Sequence, residues 1–101
     1  LSKVLRIIET HFHDEQFAVE KLADNMNMSV SQLNRKLNAL IDQPAGQLIR
    51  SLRLQRAADL LRQNAGNVAE IGYQTGFKDQ AYFSRAFKNQ FGCSPSVYKN
   101  S

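Results

Sequence analysis

At 101 residues the chain has the length of one domain, and with 43% hydrophobic residues it can build a core without staples. Its one cysteine, Cys93, rules out an internal disulfide and fits a reducing compartment, and no apolar run approaches the roughly 20 residues of a membrane span or forms a secretory signal. A net charge of +4 and a pI of about 9.5 favour a polyanionic partner, and the excess is uneven: up to Gln43 five basic residues meet six acidic ones, whereas from Pro44 onward eight meet three.

Leu1 to His13 is predicted as the first helix, with Val4, Leu5, Ile8 and Phe12 at helical spacing for packing. His11 and His13, two apart, fall on different faces of a helix, which argues against a shared metal; they read as solvated or capping. Because the chain starts at Leu1 rather than Met, it reads as a fragment of something longer, with any sensing part elsewhere.

From Val19 the run VEKLADNMNMSVSQLNRKLNAL reads as two helices about a tight turn. Ser29 caps the second of them, and Gln32 completes an S-x-x-Q capping box. Leu33, Leu37 and Leu40 are expected to face the core, so Ser31, Asn34, Arg35 and Asn38 face out. Asparagine suits bidentate contact with adenine and arginine with guanine. Asn34 and Arg35 are therefore the leading candidates for reading base edges, with Ser31 and Gln32 at the start of the helix. The plain alternative is a polar face that is only solvated.

Pro44 and Ala45 open a long connecting helix that ends before Gly66. Leu48, Leu52, Leu54, Ala57, Ala58 and Leu61 give it apolar surface for both flanking parts. Arg50, Arg53 and Arg56 recur every three residues along a neighbouring face. Arg50 is a phosphate candidate; for Arg53 and Arg56, phosphate contact and internal pairing with acids such as Asp59 both stay open. About 20 residues at 1.5 Å each make a rod roughly 30 Å long, close to the ~34 Å of one turn of B-DNA.

Asn67 caps the next helix, with Glu70 three residues on. Gly72 sits mid-helix at a cost of roughly 1 kcal/mol against alanine, which points to a close helix crossing. Thr75-Gly76 makes the turn and Asp79 caps a helix whose Phe83, Phe87 and Phe91 form one buried face, with Ala86 beside them. Ala81, Ser84, Arg85 and Lys88 point the other way, and Gln80 and Tyr82 lie in the exposed first turn. These types reach base edges and phosphates in a major groove. Gly92 closes that helix, Ser94 caps the last one and Pro95 takes its first position. The chain also repeats itself. At an offset of 49, Val19, Leu22, Ala23, Asn27 and Met28 fall on Val68, Ile71, Gly72, Gly76 and Phe77; at an offset of 50, Ser29, Leu33, Arg35 and Leu37 fall on Asp79, Phe83, Arg85 and Phe87. One residue is gained in the second turn.

The run Gly76-Phe77-x-Asp79-x-x-Tyr82-Phe83-Ser84-Arg85-x-Phe87-Lys88-x-x-Phe91-Gly92-x-Ser94-Pro95-x-x-Tyr98 closely resembles the C-terminal signature of the AraC/XylS family of bacterial transcription regulators, and the likeness covers essentially the whole chain. It departs where the family has Gly-x-Ser-Pro before the long helix, since Asp42-Gln43-Pro44-Ala45 stands there instead. The resemblance implies an all-α fold of about seven helices: a first helix-turn-helix unit over 1–43, a linker helix over 44–65 and a second unit over 66–101. It implies sequence-specific binding of double-stranded DNA by a transcription regulator, two recognition helices reading successive major-groove segments of a non-palindromic site. Ser31, Gln32, Asn34 and Arg35, then Gln80, Ala81, Tyr82 and Arg85, are carried over as groove-facing positions; Lys36, Arg50, Lys88 and Lys99 are phosphate candidates.

No Ser/His/Asp set, HExxH, CxxC pair or glycine-rich phosphate loop occurs, so neither catalysis nor a metal or cofactor is expected. The competing reading is a helical protein-interaction module. Within the family the chain looks most like the output domain of a hybrid two-component sensor, with a one-component sugar or stress regulator as the alternative. The expected location is cytoplasmic and nucleoid-associated, with membrane anchoring of the full-length protein only if it is a hybrid sensor. RNA polymerase stays open as a second partner, and any dimerisation is assigned to missing domains.

Overall fold

The structure, a computed structural model, describes residues 1–100. Among them the elements run α1 (Ser2–His11), α2 (Val19–Asn25), α3 (Val30–Ile41), α4 (Ala45–Arg62), α5 (Val68–Gln74), α6 (Gln80–Phe91) and α7 (Pro95–Lys99), with no strand. None of these helices is long and apolar enough to cross a membrane.

The internal repeat is borne out at the level of whole elements. α2 and α5 are both seven residues long and stand 49 apart, and α3 and α6 are both twelve residues long and stand 50 apart. At the turn of each unit one residue takes the left-handed conformation, Asn27 at φ 57° in the first and Gly76 at φ 93° in the second. Asparagine tolerates that region and glycine enters it at no steric cost, so two different residues serve one backbone need.

The caps follow the sequence. Ser29 and Gln32 form a reciprocal box at the start of α3, as Asn67 and Glu70 do at α5. Asp79 accepts the Ala81 and Tyr82 N–H groups, and Ser94 accepts that of Val97. At the start of α4, where the sequence lacks the family's Gly-x-Ser-Pro, Asp42 takes the left-handed role (φ 57°) that Gly92 takes 50 residues later at φ 82°.

Two separate cores form, and α4 is shared between them. Val4, Ile8, Phe17, Leu22, Leu33 and Leu37 pack with Ala45, Leu48 and Ile49 from the first half of α4. Ile71, Phe77, Phe83 and Phe87 pack with Leu54, Ala57, Ala58 and Leu61 from the second half. At about 100° per residue the two α4 sets lie on roughly opposite faces, so the helix turns one side to each unit. The aromatic residues of the second core form a chain of ring contacts: Phe77 to Phe83 at 5.0 Å, Phe83 to Phe87 at 5.9 Å and Phe87 to Tyr98 at 5.3 Å. Removing a buried ring of this kind typically costs about 3–5 kcal/mol.

One core assignment needs correction. Leu40 is 56% exposed, and Ile41 packs against the first core in its place. The last turn of α3 overhangs the core just before the chain reverses at Asp42, so a leucine in phase with Leu33 and Leu37 finds nothing beneath it. α1 is also shorter than the expected Leu1–His13, ending at His11, whose ring stacks on Phe17 with centroids 5.1 Å apart.

Between the units lies a three-part joint centred on Arg53, which sits where the apolar face of α4 changes sides. Its Nε donates to the Phe12 carbonyl at 3.1 Å, and one terminal nitrogen donates to the carbonyls of Asp14 at 2.9 Å and Phe17 at 2.8 Å. From the other unit Gly76 presses against the same group: a Cβ there would lie 2.4 Å from the Phe12 oxygen and 2.8 Å from Arg53 Nε. Burial pushes the Arg53 guanidinium below its ordinary pKa and nearby Asp14 partly restores it. Arginine stays charged under such a shift, and three carbonyls replace the water it has lost.

Candidate nucleic-acid interface

Each unit sets its second helix so that the face opposite the core is polar. On α3, Leu33 and Leu37 are buried while Ser31, Gln32, Arg35, Lys36 and Asn38 are exposed. On α6, Phe83 and Phe87 are buried while Ala81, Tyr82, Arg85 and Lys88 are exposed. The 50-residue offset superposes Arg35 on Arg85, and neither arginine has a salt bridge or hydrogen bond among the described residues. Two charged forks, each about a turn and a half into its helix, are available for an external acceptor.

Several amides on these faces already have work inside the protein. Gln32 uses its Oε1 to accept the Ser29 N–H at 2.9 Å. Asn34 is half-buried, and its Oδ1 accepts the Ala45 N–H at 2.9 Å, capping α4 from another helix. Gln80 is half-buried as well; its Nε2 donates to the Ala69 carbonyl at 3.2 Å, and its amide lies over Gly72. Bidentate reading of adenine needs both ends of an amide. Among the described residues, each of these three keeps only one end without a partner: the NH2 group of Gln32 and of Asn34, the oxygen of Gln80.

The cations divide in the same way. Arg50 is exposed and lines a groove between α4 and α6 together with Gln47, Tyr82 and Arg85, so it shares a surface with the exposed face of α6. That groove is braced at Ser51, whose hydroxyl donates to Gln90 Oε1 at 3.0 Å and whose carbonyl accepts Gln90 Nε2 at 3.2 Å. Lys36 and Lys88 are exposed on α3 and α6. Lys99 is half-buried, and its Nζ donates to the Gly66 carbonyl at 3.0 Å, beside Asn67, Val68 and Ala69. The two residues left open by the sequence resolve differently from an Asp59 pairing: Arg53 holds carbonyls, Arg56 lies 6.0 Å over the Phe12 ring, and Asp59 pairs with Arg62.

The profile of a helix-turn-helix domain family matches residues 22–101, spanning α3, α4 and α6. The chain belongs to the AraC/XylS family. It is 37% identical over 100 residues to a protein named histidine kinase P4 from Formosa agariphila, covering 99% of this chain and 7% of that protein. It is 34% identical over 95 residues to the transcriptional activator RhaS of Escherichia coli, covering 94% of this chain and 34% of that protein. The chain thus spans a small part of the first relative and about a third of the second. Among solved structures, the DNA-binding domain of AdpA in complex with a target DNA superposes with a TM-score of 0.89 at 28% identity, over 98% of this chain and 88% of that one.

As an AraC/XylS domain the chain carries the DNA-binding architecture of transcription regulators, and its departure from the family signature explains the behaviour of Asn34. Pro44 occupies the N-cap position of α4 and offers no side-chain acceptor. Ser94, its counterpart in the second unit, accepts the Val97 N–H with its own hydroxyl. A helix without a local cap needs one from elsewhere, and Asn34 on the adjoining α3 supplies it. The signal was present in the sequence as a proline at a cap position, but which residue would answer it depends on how α3 and α4 cross.

Proposed function

We propose that this chain binds double-stranded DNA sequence-specifically, with α3 and α6 reading successive major-groove segments of one non-palindromic site. The observation that carries the reading is the element-level repeat: two twelve-residue helices, each presenting at the same point an arginine unpaired among the described residues, joined by one continuous helix. The eighteen residues of α4 make a rod of about 27 Å, and the molecule is 41 Å along its greatest extent. Those lengths suit two grooves one helical turn, about 34 Å, apart on one DNA face. Since the two reading faces differ in sequence and lie in one chain, they call for two dissimilar boxes.

Within this reading Arg35 and Arg85 are the principal base readers, flanked by Ser31 and Gln32 in one box and by Ala81 and Tyr82 in the other. Asn34 and Gln80 contribute mainly by holding α4 and α5 in place. Lys36, Arg50 and Lys88 contact phosphate, and Lys99 secures α7. The kinship with a protein named as a histidine kinase further supports an output role for this chain in two-component signalling.

Selection of bound duplexes from a random pool at moderate salt tests the reading. The expected result is enrichment of two unlike boxes about ten base pairs apart. Enrichment of an inverted repeat, or affinity without enrichment, would remove the two-box mechanism; no binding to any duplex at low salt would put a protein-interaction module in its place.

A further inference from the structure

Two recognition helices in one chain read two boxes only if the distance and angle between them are held. α4 is continuous, but each unit buries its apolar residues in its own core, and those cores grip opposite faces of different halves of the helix. The two cores therefore restrain one another only through α4. A direct link spans the gap at Arg53, where the Phe12 carbonyl of the first unit, the guanidinium of α4 and the Gly76 turn of the second unit meet, with Arg56 over the Phe12 ring beside it.

We propose that Arg53 is a positioning residue for two-box reading, its fork fixing the 12–17 segment to α4 against the Gly76 turn and so setting the spacing between α3 and α6. The inference rests on the two-box reading proposed above. The chemistry favours the role. A guanidinium offers five donors in a rigid plane, and here the bonds radiate to three carbonyls within one short segment, Phe12, Asp14 and Phe17. Glycine at position 76 is needed both for its positive φ and because any side chain would strike the Phe12 oxygen, so the second unit sits flush on the segment that Arg53 holds. Among the described residues the half-buried charge has no carboxylate within salt-bridge distance, so its position is set by backbone geometry.

The test uses the boxes recovered by selection, placed at the selected spacing and at one and two base pairs more or less. Each added base pair turns the second box by about 35° and moves it about 3.4 Å. The wild-type chain is expected to lose about tenfold or more in affinity per step, while Arg53→Met shows a flattened spacing profile with unchanged affinity for duplexes carrying a single box. If Arg53→Met melts below the assay temperature, Arg53→Lys, with one ammonium in place of the fork, carries the same comparison. Without DNA, spin labels at Glu20→Cys and Tyr73→Cys in a Cys93→Ser background should give a narrow distance distribution that broadens on Arg53→Met. An equal loss at every spacing with an unbroadened distribution overturns the proposal and leaves two-box reading standing. A wild-type chain indifferent to spacing sinks two-box reading and the role of Arg53 with it.

Discussion

Asn34 Oδ1 accepts the Ala45 N–H at 2.9 Å, so a residue whose type and helix face suit adenine reading spends its acceptor on the first turn of the linker helix. The bond crosses from α3 to α4 and replaces the local cap that Pro44 withholds.

Asn34→Ala should therefore act on stability before specificity. Loss of a helix cap costs about 1 kcal/mol, which lowers the melting temperature of a domain this size by roughly 4–8 °C. Thermal unfolding and duplex selection on the same variant separate the two roles. A lowered midpoint with an unaltered first box is the expected pair of results; an altered box with an unchanged midpoint would return Asn34 to base reading.

The glycine at the α5–α6 crossing gives a second stability prediction. A Cβ on Gly72 would lie 2.9 Å from Gln80 Nε2 and 3.0 Å from Phe83 Cδ2, whereas one on Gly66 meets nothing nearer than Glu70 Cβ at 3.5 Å. The glutamine amide can swing away, but Phe83 is fully buried in the ring cluster and cannot. Gly72→Ala should lose about 1–2 kcal/mol despite its better helix propensity, and Gly66→Ala should stay within about 0.5 kcal/mol. Denaturant unfolding of the pair decides it, and equal stability of the two variants would mean that α5 and α6 have room to separate.

Helices, caps and turns were legible because their causes are local. Ser29, Asn67, Asp79 and Ser94 each cap within three residues, and Asn27 and Gly76 answer the same backbone requirement. The repeat was legible because each role recurs 49 or 50 residues on. What stayed hidden depends on how helices cross. The same helix faces give no sign that Asn34 reaches Ala45, that Gln80 covers Gly72, or that Lys99 is tied to Gly66 across 33 residues. Arg53 was ambiguous for the same reason: an arginine on a polar face looks alike in sequence whether it meets a phosphate or three carbonyls. Leu40 failed in the opposite sense, being in phase with a core that ends one turn too soon.

Arg35→Ala and Arg85→Ala should each cost about 1–3 kcal/mol of binding and relax preference in one box only. Neither arginine holds a salt bridge or hydrogen bond among the described residues, so melting temperatures should barely move. Binding measured against duplexes mutated box by box checks this. An equal loss on every sequence would identify the two residues as phosphate contacts, with readout carried by their neighbours.

Salt dependence should separate the four cations carried over as phosphate contacts. Each exposed cation that neutralises a phosphate contributes about one unit to the slope of log affinity against log salt concentration. Removing Lys36, Arg50 or Lys88, all exposed, should weaken binding on every sequence and lower that slope by about one. Lys99 is half-buried, with its ammonium on the Gly66 carbonyl between α4 and α5. Lys99→Ala should then lower the melting temperature by loosening α7 while leaving the slope nearly intact. The charge balance adds an ordering: from Pro44 onward eight basic residues face three acidic ones, against five and six before it. Arg50 and Lys88 lie in that basic stretch and Lys36 in the other, so the Arg50 and Lys88 variants should lose more affinity at low salt than the Lys36 variant. Titrations at three or more salt concentrations measure both effects, and a slope change for Lys99→Ala as large as that for Arg50→Ala would show that the Gly66 bond yields to phosphate when DNA arrives.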